Sequence, residues 1–345
     1  MTITLNDVAR KVGVSVSTVS RVLNSKSDKY RISRVTRERV IKVAAELNYR
    51  PNQLARGLRL QRTHAIGLVI PDISNPFFAH VAKNIQIQSY KLGYTLIVCN
   101  TNENQETEIE QVDLLRSKGV DGFIVMPVGL ESKHIQELLD DNVPLVLLDR
   151  CFEDLETNSI LVDNYEGAFK VTEYIIRNGH RRIAIIQGLI NTSTNNHRVN
   201  GYKDALRKYG IPISENLIVG KDFGKENGFI ETKLLLKQSN PPTAIFSSSD
   251  LITLGALEAI YEEKLNIPDD ISIVSFDDID FAPYLVSPLT VVSQPRNMIG
   301  EMAVKLLLDD IRLEGKGEKK RIVLKPTLIL RKSVSKLAMP VEIPV

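Results

Sequence analysis

From residue 65 onward the chain repeats one pattern: a short apolar run of strand length, then a polar-faced segment of helical length. The runs fall at 65–70, 94–99, 122–126, 145–148, 183–187, 243–246 and 271–276. Segments such as 78–91, 106–117 and 167–178 have helical length and lie between them. Strands joined through helices run parallel, and their sheet is covered by helices on both faces. More than ten alternating elements in roughly 280 residues predict an α/β body of two doubly wound parallel-sheet lobes. No internal repeat or low-complexity tract interrupts it. The basic stretch from Lys316 to Arg321 reads as a solvated loop.

Residues 1–62 are of another kind. They hold 14 Lys and Arg against 4 Asp and Glu, a net of +10, whereas the rest of the chain has 30 against 38, a net of −8. A short basic head on a mildly acidic body points to a polyanionic partner for the head alone, and nucleic acid leads.

The head reads as three short helices. Thr4 caps the first, Asp7 favours its N-terminus, and Leu5, Val8, Ala9 and Val12 form its apolar face. Gly13 breaks the chain, Ser15 caps a second helix, and Val19, Val22 and Leu23 form its buried stripe. Ser33 opens a third helix with an apolar face of Val40, Ile41, Val43, Ala44 and Leu47. Helix, glycine turn, helix and supporting helix make a helix-turn-helix layout, in which the second helix enters the major groove. Val16, Ser17 and Arg21 face away from its buried stripe, and Arg21 can fork onto guanine. A phosphate contact or an intrahelical ion pair is the competing role for Arg21. Thr4, Ser15, Thr18, Ser20 and Asn24 are further candidates for DNA contact. Residues 52–59 are basic and helical in spacing, with too little apolar surface to be stable alone.

The other signals set limits. No apolar run reaches the roughly 20 residues that span a bilayer, and the N-terminus lacks the pattern of a signal peptide. Cys99 and Cys151 are the only cysteines, expected as buried reduced thiols. A cytoplasmic protein with no metal and no cofactor follows. There is no phosphate-cradling glycine loop, nucleophile elbow or metal-binding histidine set, so enzymatic activity is not expected. Asp277 and Asp278 are adjacent, and on an extended segment they point opposite ways.

Several motifs then converge in order and spacing. They are Leu5-Asn6-Asp7-Val8-Ala9, Val14-Ser15, Thr18-Val19-Ser20-Arg21-Val22-Leu23-Asn24 and Leu47-Asn48-Tyr49-Arg50-Pro51-Asn52. Ile66-Gly67, Asn75-Pro76-Phe77-Phe78, Gly179-His180, Gly201-Tyr202 and Phe276-Asp277-Asp278 follow. Over nearly its whole length the sequence resembles the lactose-repressor/galactose-repressor family of bacterial regulators.

That resemblance implies a helix-turn-helix domain over 1–50, a hinge helix and linker over 51–62, and a two-lobed, periplasmic-binding-protein-like domain for effector binding and dimerisation over 63–345. It implies a homodimer on a pseudo-palindromic operator in double-stranded DNA. The lack of a heptad tail after Val334 favours a dimer over a tetramer. Asn52 and Ala55 would belong to a hinge helix that folds on DNA, with Leu58 as a minor-groove wedge and Arg56 and Arg59 on phosphates. The implied regulator is a repressor of carbohydrate-use genes, with control by a protein partner or a global catabolite role as the alternatives.

For the body the resemblance implies a small sugar-like effector between the lobes, beyond the carboxyl ends of the strands. Asp277 and Arg198 would clamp vicinal hydroxyls, as a carboxylate and a guanidinium each can. Asn75, Phe77 and Phe78 would cover the ligand, and Asp149, Thr192, Thr194, Phe223 and Gln294 match further cleft positions. Met126 and Ser249 stand where some members carry amides, and Arg296 where some carry an apolar ring. An added cation at 296 would suit an acidic sugar or sugar phosphate.

Overall fold

The computed structural model describes residues 3–24, 27–49 and 62–337. The chain divides into two compact units, Met1–Thr63 and His64–Val345.

In the head, helix α1 spans Leu5–Val12. The Thr4 hydroxyl accepts from the Asp7 amide, and the Asp7 carboxylate accepts from the Thr4 amide at 2.9 Å, a reciprocal cap. Gly13 ends the helix at φ 76°, left-handed backbone that glycine adopts without penalty. Helix α2 (Val16–Leu23) is capped by Ser15 and α3 (Arg34–Glu46) by Ser33. The apolar faces meet in a small core of Val8, Ala9, Val12, Val19, Val22, Val40 and Ala44. Ile41 departs from expectation: it is 48% exposed, because one residue past Val40 lies about 100° around the helix.

The first lobe of the body runs β1 (Ala65–Ile70), α4 (Pro76–Lys91), β2 (Thr95–Asn100), α5 (Gln105–Ser117), β3 (Gly122–Val125), α6 (Lys133–Asp140), β4 (Leu145–Leu148) and β5 (Asn158–Val162). The second continues with α7 (Asn164–Arg177), β6 (Ile183–Ile186), α8 (Ser193–Lys208), β7 (Ile218–Val219), α9 (Lys225–Leu236), β8 (Ala244–Ser247), α10 (Asp250–Glu262), β9 (Ser272–Phe276) and β10 (Thr290–Ser293). Helix α11 (Arg296–Arg312) and β11 (Arg321–Leu324) return to the first lobe, and β12 (Thr327–Ile329) ends in the second. The chain therefore crosses between lobes three times.

The sheets are ordered β11-β5-β4-β3-β1-β2 and β12-β10-β9-β8-β6-β7. All pairs are parallel except β10 with β12. Alternate residues of each strand serve opposite faces: Leu68 and Ile70 join Val81 and Ile85 of α4, whereas Val69 joins Val112 and Leu115 of α5. The strand order reverses between β1 and β3 in one sheet, and between β6 and β8 in the other. These are the switch points where a crevice opens at the carboxyl ends of strands.

Two expectations need correction. The stretch 316–321 is not simply a solvated loop: Arg321 begins β11, which pairs with β5, and the Lys319 ammonium donates to the largely buried Asp310 at 3.1 Å. Cys99 and Cys151 are free but only half-buried. Cys99 sits on β2, an edge strand with exposed neighbours, and Cys151 on the connection after β4.

Candidate functional site

Both switch points feed one cleft. Asn75 follows β1, Asp149 and Arg150 follow β4, Thr194 lies beyond β6, Ser249 and Asp250 follow β8, Asp277 follows β9, and Gln294 follows β10. The cavity they line, with Phe77, Phe78, Glu103, Arg198 and Phe223, holds about 30 Å³. That is room for about two water molecules, far below the ~300 Å³ of a typical small-molecule site. As the side chains stand, this part of the cleft is too narrow for a sugar. Arg150 also borders a neighbouring cavity of about 420 Å³ that reaches Thr192.

Arg198 is the pivot of the cleft. Helix α8 carries it, and it is 3% exposed. Its Nε donates to the side-chain Oδ1 of Asn164 at 2.7 Å and Nη1 to the backbone carbonyl of Ser248, while its guanidinium carbon lies 3.7 Å from the centroid of the Phe276 ring. Nη2 makes no hydrogen bond among the described residues. Burial lowers the Arg198 pKa, opposed by the carboxylates of Asp277, Asp149 and Asp250. Asp277 faces this charge from a left-handed residue (φ 80°) and accepts from the Gln294 amide at 2.5 Å. The backbone at Asp277 is therefore not extended. Asp278 still points elsewhere, paired with Arg331 at 3.2 Å. Burial pushes Asp277 up to about 7, against the pull of Arg198. Asp149, also left-handed at φ 63°, is raised by burial against Arg150 and Arg198. Such backbone at a non-glycine residue is sparsely populated and collects at functional sites.

Three cleft residues were missing from the expected set. Arg150 makes a bidentate pair with Glu103 at 2.8 Å, and its guanidinium lies 5.0 Å from the Phe223 centroid. Asp250 accepts from the Asn75 amide at 3.1 Å across the lobes, and burial raises its pKa. Arg150 and Asp250 follow strands, so the carboxyl-end rule that points to Asp277 also points to them. Glu103, three residues past the end of β2, falls under the same rule. Gly188 matters too, because a Cβ there would run into the Phe223 ring.

Four carboxylates and two guanidiniums thus line the cavity, a richer set than one acid facing one arginine. Thr194 Oγ1, Arg150 Nε and Gln294 Oε1 are buried with no hydrogen-bond partner. A buried polar atom without a partner carries a cost on the order of 1–3 kcal/mol, which a ligand hydroxyl could relieve.

Other expected residues lie apart or serve the fold. Met126 is 1% exposed in the first lobe's core and does not line the cavity. Phe77 and Phe78 line the cavity and belong to that core as well. The Thr192 hydroxyl donates to the Leu189 carbonyl, and Ser249 caps α10. Arg296 lies outside the cavity lining and pairs with Asp280 at 3.4 Å.

In the head, Val16, Ser17 and Arg21 are exposed on one side of α2. Thr4 and Ser15 cap their helices, Ser15 also bonds the hydroxyls of Ser17 and Thr18 at 2.8 Å, and Ser20 is half-buried. The Asn24 side chain donates to the Ser20 carbonyl at 2.6 Å, closing the end of α2. Asn52, Ala55, Arg56, Leu58 and Arg59 lie outside the described residues.

Residues 4–52 match the family described as bacterial regulatory proteins, lacI family. Residues 63–333 match periplasmic binding proteins and sugar binding domain of LacI family. The chain is 38% identical to the ribose operon repressor of Haemophilus influenzae, over 97% of this chain and 99% of that one. The crystal structure of the lac repressor dimer bound to operator and the anti-inducer ONPF superposes with a TM-score of 0.85, at 28% identity, over 97% of this chain and 100% of that one. A LacI family transcriptional regulator from Enterococcus faecium with bound ribose gives 0.71, at 30% identity, over 79% of this chain and 100% of that one. Among the described residues no helix is long and apolar enough to cross a membrane.

Proposed function

The chain belongs to the lacI family of bacterial regulatory proteins, a DNA-binding transcriptional repressor with a ligand-binding body, and from that premise we propose that its effector is a neutral polyol of pentose size. The observation that carries this reading is the cleft itself. Its buried atoms that make no hydrogen bond comprise a donor (Arg150 Nε, 3.9 Å from an Asp149 oxygen), an acceptor (Gln294 Oε1) and a hydroxyl that can be either (Thr194 Oγ1), a mixed set of the kind that a ring with several hydroxyls satisfies. Both guanidiniums there already have acidic groups beside them, Glu103 at Arg150 and Asp277 at Arg198, so neither is left over to hold an anionic ligand. With Arg296 outside the lining, nothing remains to favour a sugar acid or a sugar phosphate. Ribose is the first candidate, on the likeness to a ribose operon repressor and to a regulator holding ribose.

In this reading a homodimer places two heads on the half-sites of an operator, and ribose between the lobes shifts the dimer away from the DNA-bound state. The coupling between the two sites is on the order of 1–3 kcal/mol. The test is thermal stabilisation of the intact protein by ribose, other neutral pentoses, hexoses and ribose 5-phosphate. At a hundred times its dissociation constant a ligand should add about 2.7 kcal/mol to stability. A neutral pentose should raise the melting temperature and the phosphate should not. Stabilisation by the phosphate alone would overturn the assignment.

On the DNA side, Arg21→Ala should cost about 1–3 kcal/mol per half-site and relax discrimination at one base pair, leaving effector binding unchanged. Competition binding on operators mutated one base at a time reads this. Equal weakening on every duplex would make Arg21 a phosphate contact.

A further inference from the structure

Arg21 has no carboxylate partner among the described residues; it lies against an aromatic ring. Its guanidinium carbon sits 4.0 Å from the centroid of Tyr30, on the connection between α2 and α3. That connection is anchored. Ile32 donates its amide to the Ser27 carbonyl at 3.0 Å and Arg31 to the Asp28 carbonyl at 3.2 Å. Ser27 is buried, Ile32 packs on the head core, and Arg31 takes a left-handed turn at φ 51°. Tyr30 is thus presented from a braced turn while remaining 43% exposed.

The chemistry of the contact differs from that of an ion pair. A carboxylate holding Arg21 would occupy the N–H edge that reads guanine. An aromatic face holds the guanidinium by its plane and leaves the in-plane donors free. A free arginine also gives up considerable rotamer entropy when it docks, and a stacked one has given up part of it already. We propose that Tyr30 is a specificity-determining positioning residue of the DNA-reading surface: it pre-orients Arg21 for base contact without competing for its donors. This rests on the reading of α2 as the element that enters the major groove.

The experiment compares wild type, Tyr30→Ala, Tyr30→Phe, Arg21→Ala and the Tyr30→Ala/Arg21→Ala double variant. Each is measured as the intact protein on the preferred duplex, on single-base variants of it and on random duplex. Tyr30→Ala should lose roughly two- to fivefold in discrimination per half-site, at the same base pair that Arg21→Ala affects. Its affinity for random duplex and the slope of log affinity against log salt should stay at the wild-type values, because no charge is removed. Tyr30→Phe should keep most of the discrimination, since the ring face remains. The double variant should be no worse than Arg21→Ala alone.

Additive losses in the double variant, equal weakening on all duplexes, or a Tyr30→Phe variant as poor as Tyr30→Ala would each overturn the proposal. Preserved discrimination in Tyr30→Ala would do so too. If wild type itself prefers no duplex, the DNA-reading assignment fails first, and that is seen before any variant is compared.

Discussion

Replacing Asp277 by Asn should yield a protein that is more heat-stable without ligand and no longer responds to its effector. The buried carboxyl titrates at about 7, well above its ordinary value of 3.8, because burial disfavours the charged form. A group with a raised acid pKa holds its proton more tightly when folded. Its ionisation therefore erodes stability progressively between about pH 4 and pH 7, and the full penalty stands above pH 7. Removing the charge should recover roughly 2–4 kcal/mol at pH 8, with the gain shrinking towards pH 4. Melting curves across that range read both the size and the sign. The variant keeps one carbonyl acceptor but loses the charge and turns the other carboxylate oxygen into a donor, so a bidentate grip on ligand hydroxyls is lost and effector affinity should fall by about tenfold or more. In wild type the ionised form accepts those hydroxyls, so affinity should rise as the pH passes upward through about 7. A variant less stable than wild type at pH 8 would contradict the assigned strain.

Arg198→Ala should have the opposite effect on stability and the same effect on function. It leaves Asp277, Asp149 and Asp250 facing one another with one cation fewer, and breaks the contacts to Asn164 and Ser248. Removing one partner from a buried charge cluster costs about 3–5 kcal/mol, a large share of the stability of a domain. Denaturant titration would show the loss as a lower midpoint. Arg198→Lys keeps the charge and loses the fork, so it should fold and still fail to respond to effector. A normal effector response in Arg198→Lys would remove this guanidinium from the ligand site.

What was legible in the sequence is what neighbours along the chain determine. The long buried strands announce themselves, because runs such as Leu145-Val146-Leu147-Leu148 are apolar on both faces. Strands β7 and β12, with two and three residues, are too short to show any period, and β11 mixes exposed and buried positions at the sheet edge. Helix caps at Thr4, Ser15 and Ser33 are local and could be read from neighbours in sequence. Asp277 and Arg198 were reached through family likeness and the position of strand ends. Glu103 also lies just past a strand end, but its bidentate pairing with Arg150, 47 residues away, appears only in the fold. Met126 directly follows β3, yet its side chain packs into the first lobe's core and not into the cavity lining. In the head the exposed face of α2 followed from helical spacing, whereas the stacking of Arg21 on Tyr30 required the turn to be seen.

The central claim is that a basic head reads duplex sequence while a separate polyol-binding cleft decides when it binds. Fluorescence anisotropy of the intact protein tests it most directly, using a duplex selected from a random pool and a scrambled duplex at one fixed salt concentration. Each is titrated with and without the sugar that gives thermal stabilisation. The account predicts a preference of about 10³ or more for the selected duplex, reduced about 5- to 150-fold when the sugar saturates. Equal affinity for the two duplexes, or an affinity for the selected one that the bound sugar leaves unchanged, would contradict it.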